Sequence, residues 1–194
     1  MTVVSFPALT DGLRSGCVGS FPTDTVPALA VRPDRAEAIF DLKQRSSEKP
    51  LILMAASAED LWPYTDGTPE ERALWQTVAR QYWPGALTLI LPASSRLPPQ
   101  VNPSNPTTIG LRVPDCDIAR RVLAETGPLA TTSANRSGDP PLTTPETIDR
   151  SFPQVLVLAP DEYPSSSASG LPSTVAKWVG DRWEILRSGA LQLK

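Results

Sequence analysis

The 194-residue sequence has no histidine, only two cysteines, and no apolar run long enough to cross a membrane. Without histidine, a Ser-His-Asp triad, a Cys-His pair and a histidine-ligated zinc site are all excluded. Cys17 and Cys116 form neither a CxxC pair nor a disulfide framework, which favours a reducing, cytoplasmic location. The amino terminus lacks the features of a signal peptide, so no membrane association is expected.

The sequence also lacks the basic excess that is typical of proteins binding nucleic acid through phosphate contacts. Its 18 Lys and Arg residues are outnumbered by 21 Asp and Glu residues, which gives a formal net charge of -3. Bulk nucleic-acid binding is therefore disfavoured, although a local cationic groove is still allowed. Catalysis without histidine must use Lys, Arg, Ser, Thr, Asn and carboxylates, which favours transfer at phosphorus, driven by positioning and charge neutralisation.

Helix and strand signals alternate along the chain, which has 22 prolines and 11 glycines. This alternation predicts an α/β or α+β fold with a large sheet, in one domain or one domain and a small lobe. Strands are expected at 17–21, 26–31, 50–56, 86–91, 108–113, 129–133, 155–159, 173–179 and 183–187. Helices are expected over about 35–44, over 68–85, from Asp115 to Gly127, and from Thr144 onward.

Two of these helices begin with predicted capping boxes. Asp34 and Glu37 predict the start of the first helix, and Thr68 and Glu71 predict the start of the second. The segment 159–170 is expected to be a mobile surface loop. The apolar stripe of the second helix is expected to consist of Leu74, Trp75, Val78 and Tyr82.

Cations are concentrated beside predicted strands although the whole chain is acidic. Three fall just before a buried strand: Lys43, Arg45 and Lys49. They are either the solvated end of a helix, where the macrodipole favours cations, or a group that binds an anion. Arg112 and Arg187 lie inside strand patterns, and Asp115 or Asp117 is a candidate partner for Arg112. If the strands share one sheet, these five cations would line one groove suited to a nucleoside triphosphate.

Two turns rich in hydroxyl groups follow predicted strands. The stretch 21–29, FPTDTVPAL, offers Thr25 and the carboxylate of Asp24, and the stretch 131–141, TTSANRSGDPP, offers Ser133, Asn135 and Ser137. Such residues are common in ordinary turns, where they cap backbone groups. They also lie at strand ends, where open α/β sheets bind ligands. Both interpretations stay open on the residues alone.

Taken together and in order, the motifs resemble one known family. FPTDT, LKQR…KPLILM, WPGALTLILP, TIGLRVPD, TSANRSG, STV and ILRSGA are similar to the YrdC-domain family of threonylcarbamoyl-AMP synthases. The resemblance covers about residues 15–190 and implies a single domain over 1–194, without the extra C-terminal domain of longer members. It implies a twisted open mixed sheet flanked by helices, with a cationic concave groove.

The resemblance also implies an activity. Members form threonylcarbamoyl-AMP and pyrophosphate from L-threonine, bicarbonate or CO2, and ATP. A threonylcarbamoyl-transferase partner then modifies tRNA next to the anticodon, and a weak tRNA or RNA contact is expected. Mg²⁺ is expected to bind through the ATP phosphates, with Asp24 as a secondary candidate ligand.

Site residues are carried over by matching the family motifs. The implied catalytic tetrad is Lys43, Arg45, Ser133 and Asn135. ATP would be bound by Arg45, Lys49, Thr108, Ser133, Asn135 and Arg187. Threonine would be bound by Thr25, Arg112 and Ser173, with Arg112 on its carboxylate.

The chain departs from the family pattern at Pro27-Ala28, and Met54 stands where some members have a histidine that contacts threonine. Two alternatives therefore stay open. One is an RNA-binding or ribosome-associated protein that uses the same groove, and the other is a nucleotide-binding sister-branch protein without synthase activity. The complete tetrad favours the active synthase.

Overall fold

A computed structural model describes residues 2–163 and 168–193, in which five α-helices flank one ten-stranded sheet. The strands are β1 (Val3–Val4), β2 (Gly19–Phe21), β3 (Ala28–Val31), β4 (Ile52–Met54), β5 (Leu87–Pro92), β6 (Thr108–Arg112), β7 (Leu129–Ser133), β8 (Leu156–Leu158), β9 (Thr174–Trp178) and β10 (Trp183–Arg187). The helices are α1 (Phe6–Arg14), α2 (Glu37–Lys43), α3 (Pro69–Tyr82), α4 (Asp117–Thr126) and α5 (Pro145–Ser151). The predicted α/β class is confirmed.

The sheet is mixed, with the order β1-β8-β2-β3-β7-β4-β6-β5-β9-β10. Parallel pairs form between β1 and β8, β8 and β2, β4 and β6, and β5 and β9. The other neighbouring strands are antiparallel. Every strand predicted from the sequence overlaps an observed strand, whereas β1 and α1 were not predicted.

The capping box of α3 is confirmed, and the predicted box of α2 is wrong. Glu71 N donates to Thr68 Oγ1 at 3.2 Å, and Thr68 N donates to Glu71 Oε2 at 3.0 Å. At α2 the Asp34 carboxylate instead pairs with Arg32, at 2.7 Å from Nη2, and the helix has no side-chain cap. The nearby guanidinium therefore holds the carboxylate that the sequence pattern assigned to the helix end.

The predicted stripe of α3 is partly wrong. Trp75 and Ala79 are buried, but Leu74 is 52% exposed. Val78 and Tyr82 are half-buried and pack against the core. The buried face of α3 is therefore centred on Trp75 rather than spread across Leu74.

The two faces of the sheet carry two apolar cores. Helices α2, α3 and α5 contribute Ile39, Trp75 and Ile148 to one core. Helices α1 and α4 contribute Leu9, Leu13, Ile118 and Val122 to the other. Successive strand residues point to opposite faces, so Leu29 and Leu53 join the first core while Ala28 and Met54 join the second.

None of the described helices is both long enough and apolar enough to cross a membrane. Part of the loop predicted over 159–170 lies outside the described residues, namely 164–167. In the described part of that loop, Pro160–Glu162 forms a short 3-10 turn.

Candidate active site

A cavity of about 450 Å³ lies on the face of the sheet that carries Ala28 and Met54. Its floor is formed by seven neighbouring strands, in sheet order from β3 to β10. Directly paired residues project from the same face of a sheet, which explains how distant sequence segments meet here. The floor pairs are Ala28 with Ser133, Ile52 with Thr131, Met54 with Arg112, and Thr88 with Val175.

Gly110 makes room in this floor. A Cβ atom at this position would lie 2.7 Å from Ile52 Cγ2 and 3.4 Å from Thr88 Cγ2. Both neighbours line the cavity. A side chain at this point of β6 would therefore displace the floor, so glycine is required here by close approach rather than by its backbone angles.

Arg112 is buried at one end of the cavity, where each of its three side-chain nitrogen atoms donates a hydrogen bond. Its Nε donates to Gly85 O at 3.1 Å, Nη1 donates to Thr25 Oγ1 at 2.9 Å, and Nη2 donates to Asp24 Oδ1 at 2.6 Å. Burial lowers the pKa of Arg112, and the Asp24 carboxylate opposes this effect. The expected anionic partner is therefore present.

The two partners suggested by the sequence are wrong. Asp115 is exposed and forms no ion pair with any described residue, and Asp117 pairs with Arg120 at 2.6 Å, one helical turn away. Arg112 lies within the sheet, so only a carboxylate that reaches the buried floor of the cavity can form an ion pair with it. Asp24 does so because the turn after β2 returns directly to β3.

Ser173 connects Arg112's end of the cavity to the edge of the sheet. Its hydroxyl lies 2.9 Å from Thr88 Oγ1, and its carbonyl accepts from Arg187 Nε at 3.1 Å and Nη2 at 2.8 Å. Burial, and then the positive charge of Arg112, lowers the pKa of Arg187. The two guanidinium groups therefore lie close enough to repel each other.

Lys43, the last residue of α2, is only 2% exposed, so it is not part of a solvated helix end. Its ammonium group donates to Asn135 Oδ1 at 3.0 Å and to the carbonyl of Ser133. Ser133 Oγ donates to the same Asn135 oxygen at 2.6 Å. Burial, with a smaller contribution from the charge of Arg45, lowers the pKa of Lys43 to about 7.

The turn after β7 is held together by the amide of Asn135. Its Nδ2 donates to Arg136 O at 2.9 Å and to Asp139 O at 2.6 Å. Arg45 also lines the cavity, where its Nε donates to Lys49 O at 2.7 Å, and burial lowers the pKa of Arg45. All four tetrad residues are thus brought together, three of them in direct hydrogen-bonded contact.

The structure places the predicted site residues in two groups. Those that line the cavity are Thr25, Arg45, Arg112, Ser133, Asn135, Ser173 and Arg187. Lys43 lies beneath the turn after β7, and Lys49 is exposed and offers its carbonyl to Arg45. Thr108 accepts from Asn102 Nδ2 at 3.3 Å, outside the cavity lining. The ATP roles of Lys49 and Thr108 stay predictions.

Sequence reasoning missed two buried threonines of the floor, Thr88 and Thr131. Thr88 is the one hydroxyl residue of β5, with leucine on either side, and Thr131 begins the hydroxyl-rich end of β7. That pattern was a usable signal for a polar site on one face. Asp139, an exposed carboxylate on the cavity rim, was also missed.

Comparison with known proteins identifies the family. Residues 11–189 match the family model of the Sua5/YciO/YrdC domain, described as telomere recombination. The chain is 38% identical over 160 residues to the threonylcarbamoyl-AMP synthase of Vibrio parahaemolyticus, covering 79% of this chain and 84% of that protein. It is 35% identical over 184 residues to that of Bacillus subtilis, covering 92% of this chain but 51% of that protein.

The fold agrees with these sequence matches. The structure of P. abyssi Sua5 complexed with L-threonine has a TM-score of 0.83 and 29% identity, covering 96% of this chain and 54% of that one. The chain therefore spans about half the length of the longer relatives. It belongs to the Sua5/YciO/YrdC family, as the motifs implied, and the relatives do not favour the RNA-binding alternative.

Proposed function

We propose that this chain is a threonylcarbamoyl-AMP synthase, which converts L-threonine, bicarbonate or CO2, and ATP into threonylcarbamoyl-AMP and pyrophosphate. The observation that carries this function is the single cavity in which Thr25, Arg112 and Ser173 adjoin the turn of Ser133 and Asn135. One end offers a guanidinium and hydroxyls to an amino acid. The other end offers cations and a polar turn to a nucleotide. The curated relatives from Vibrio and Bacillus bear this enzyme name.

The amino-acid end is suited to the carboxylate of threonine. A guanidinium has five N–H groups, and three of those of Arg112 are used by Gly85, Thr25 and Asp24. One N–H on each terminal nitrogen is left, which matches the two oxygens of a carboxylate. Held there, the threonine amine would attack the carbon of CO2 and release a proton, giving a carbamate.

The second step takes place at the α-phosphorus of ATP. A carbamate oxygen attacks this phosphorus, the bond between the α-phosphorus and the α,β-bridging oxygen breaks, and pyrophosphate leaves. Arg45 and Arg187 line the cavity and would neutralise the phosphates, and the ammonium of Lys43 fixes the turn beside them. Holding both substrates in one cavity supplies the orientation that this step needs.

Mg²⁺ is expected to accompany ATP and to neutralise charge on its phosphates. Residues 2–163 and 168–193 contain no cluster of three His, Cys, Asp or Glu side chains. Asp24, the candidate ligand, is already paired with Arg112 at 2.6 Å. We therefore propose that Mg²⁺ binds through the phosphate oxygens of ATP.

We further propose that this YrdC-like domain acts in the cytoplasm and together with a partner enzyme. Its product would pass to a separate transferase, which attaches the threonylcarbamoyl group to tRNA. The reactive mixed anhydride of the product supports this proposal, because such a group needs an acceptor soon after it forms.

The test is pyrophosphate release from ATP and Mg²⁺, with threonine and bicarbonate omitted in turn. Release that requires both, together with a mass for threonylcarbamoyl-AMP, is the expected result. ATP binding without threonine-dependent release would instead indicate the nucleotide-binding sister branch. RNA binding that weakens steeply with salt and ignores ATP would indicate the nucleic-acid alternative.

A further inference from the structure

The three guanidinium groups that line the cavity differ in their partners. Arg112 forms an ion pair with Asp24, whose side chains are 3% and 15% exposed. Arg45 donates to the carbonyls of Lys49 and Pro50, and Arg187 donates to Ser173. Among the residues that the structure describes, Arg112 is thus the one cavity arginine with a carboxylate partner.

These partners leave the cavity arginines with different net charges. The Arg112–Asp24 pair adds no net charge, whereas Arg45 and Arg187 keep theirs because neutral oxygens do not compensate a cation. A guanidinium fork fits both a carboxylate and a phosphate, so the two ligands are distinguished by net charge: phosphate is a net anion, whereas an amino acid is a zwitterion. Arg112 paired with Asp24 therefore keeps the donors for a carboxylate without adding an uncompensated charge that would attract phosphate.

Resting on the proposed function, we propose that Asp24 is a specificity-determining positioning residue. It neutralises and orients Arg112, which reserves this end of the cavity for a zwitterionic amino acid and keeps phosphate groups out. A zwitterionic amino acid has no net charge, so the neutral Arg112–Asp24 pair can bind its carboxylate through the remaining N–H donors of Arg112. Without Asp24, Arg112 would be a buried unpaired cation, and any small anion would compensate it. Phosphate would then compete with threonine.

The substitution Asp24→Asn tests this proposal, because asparagine has nearly the same shape and its Oδ1 still accepts from Arg112 Nη2. The substitution removes the charge and replaces the second carboxylate oxygen by an NH2 group. Two quantities are measured: the inhibition constant of inorganic phosphate against threonine, and the rise in melting temperature that phosphate causes. The matched control is Asp34→Asn, which removes the same charge from an exposed pair with Arg32.

In Asp24→Asn we expect phosphate to compete with threonine about ten-fold better, and the KM for threonine to rise about ten-fold. Phosphate should also raise the melting temperature of this variant more than that of the wild type or Asp34→Asn. Phosphate inhibition and stabilisation that match the wild type would overturn the proposal.

The proposal can still be tested if the wild type is inactive or if Asp24→Asn does not fold. If the wild type shows no threonine-dependent turnover, the proposed function fails, but the phosphate-induced melting shift still tests Asp24. If Asp24→Asn does not fold, Asp24→Glu is used, because it keeps the charge on a longer side chain. It should raise the KM for threonine without new phosphate sensitivity, and phosphate sensitivity in this variant would count against the proposal.

Discussion

The ammonium group of Lys43 lies 3.0 Å from the amide oxygen of Asn135, which is 92 residues further along the chain. This contact joins the C-terminal end of α2 to the turn after β7. Because Ser133 Oγ also donates to that oxygen, one amide connects three members of the tetrad. Lys43, Ser133 and Asn135 therefore form one hydrogen-bonded unit, in which each side chain depends on the position of the others, whereas Arg45 donates to the carbonyls of Lys49 and Pro50.

Removing one hydroxyl from this unit should affect turnover more than stability. We expect Ser133→Ala to lower threonine-dependent pyrophosphate release at least ten-fold, because Ser133 lines the cavity and holds Asn135. The free energy of unfolding should fall by only about 1 kcal/mol. Ser137→Ala makes the same change at an exposed position of the same turn and should leave turnover unchanged. Normal turnover in Ser133→Ala with unchanged melting would remove Ser133 from the site.

The buried amine of Lys43 should make stability depend on pH. Its pKa is lowered from 10.5 to about 7, so below pH 7 the amine is charged in both states and the cost of burying the charge is fully present. Between these values the unfolded chain binds a proton that the folded chain has lost, so this cost falls as pH rises. Above them both states are neutral.

Lys43→Met removes the charge at similar length and so removes this pH dependence. The free energy of unfolding of the variant, relative to that of the wild type, should be highest below pH 7 and should fall progressively as pH rises toward 10.5. Urea unfolding of both proteins across that range measures the difference. The test is how the difference in free energy of unfolding changes with pH, and not its absolute value, because the variant also loses the hydrogen bonds of Lys43. A difference that stays constant with pH would contradict the assigned cause.

The elements predicted best are those whose signals are local. Thr68, Pro69 and Glu71 define the start of α3 within four residues, and the strand at 129–133 was predicted with its observed bounds. The start of α2 was missed because Arg32 competes for Asp34, and a box pattern contains no information about such a neighbour. The helix α1 was missed although Leu9 and Leu13 are spaced as on one helical face.

The site shows the same division between local and long-range information. Ser133, Asn135 and Arg112, which the motifs singled out, line one cavity, as strand ends in a sheet would allow. The pairing of Arg112 with Asp24 was not predictable, because it depends on the order of strands in the sheet. The sequence therefore favoured ion-pair partners close to Arg112 along the chain, such as Asp115, and this prediction was wrong.

The capping box of α3 should contribute measurably to stability. Thr68→Ala removes the hydroxyl that accepts from Glu71 N and should lower the free energy of unfolding by about 1 kcal/mol. Thr77→Ala is the control, since Thr77 is exposed within the same helix and alanine is the better helix former. It should be neutral or slightly stabilising in urea unfolding. Equal losses in both variants would show that the box is not the cause.

Arg187 should not be replaceable by lysine. Its Nε and Nη2 both donate to the carbonyl of Ser173, and a single ammonium group cannot reproduce that fork. Arg187→Lys keeps the charge but frees the Ser173 carbonyl and shifts the cation that faces the cavity.

We expect Arg187→Lys to weaken ATP binding about ten-fold by calorimetry, since loss of a charge-assisted pair of hydrogen bonds is of that order. Arg182→Lys is the matched control, because among the described residues Arg182 forms an ion pair only with the exposed Asp181, and this variant should bind ATP like the wild type. Because the variant retains its positive charge, the salt dependence of binding should stay similar in all three proteins. Wild-type affinity in Arg187→Lys would mean that charge alone, and not the guanidinium geometry, is what ATP requires at this position.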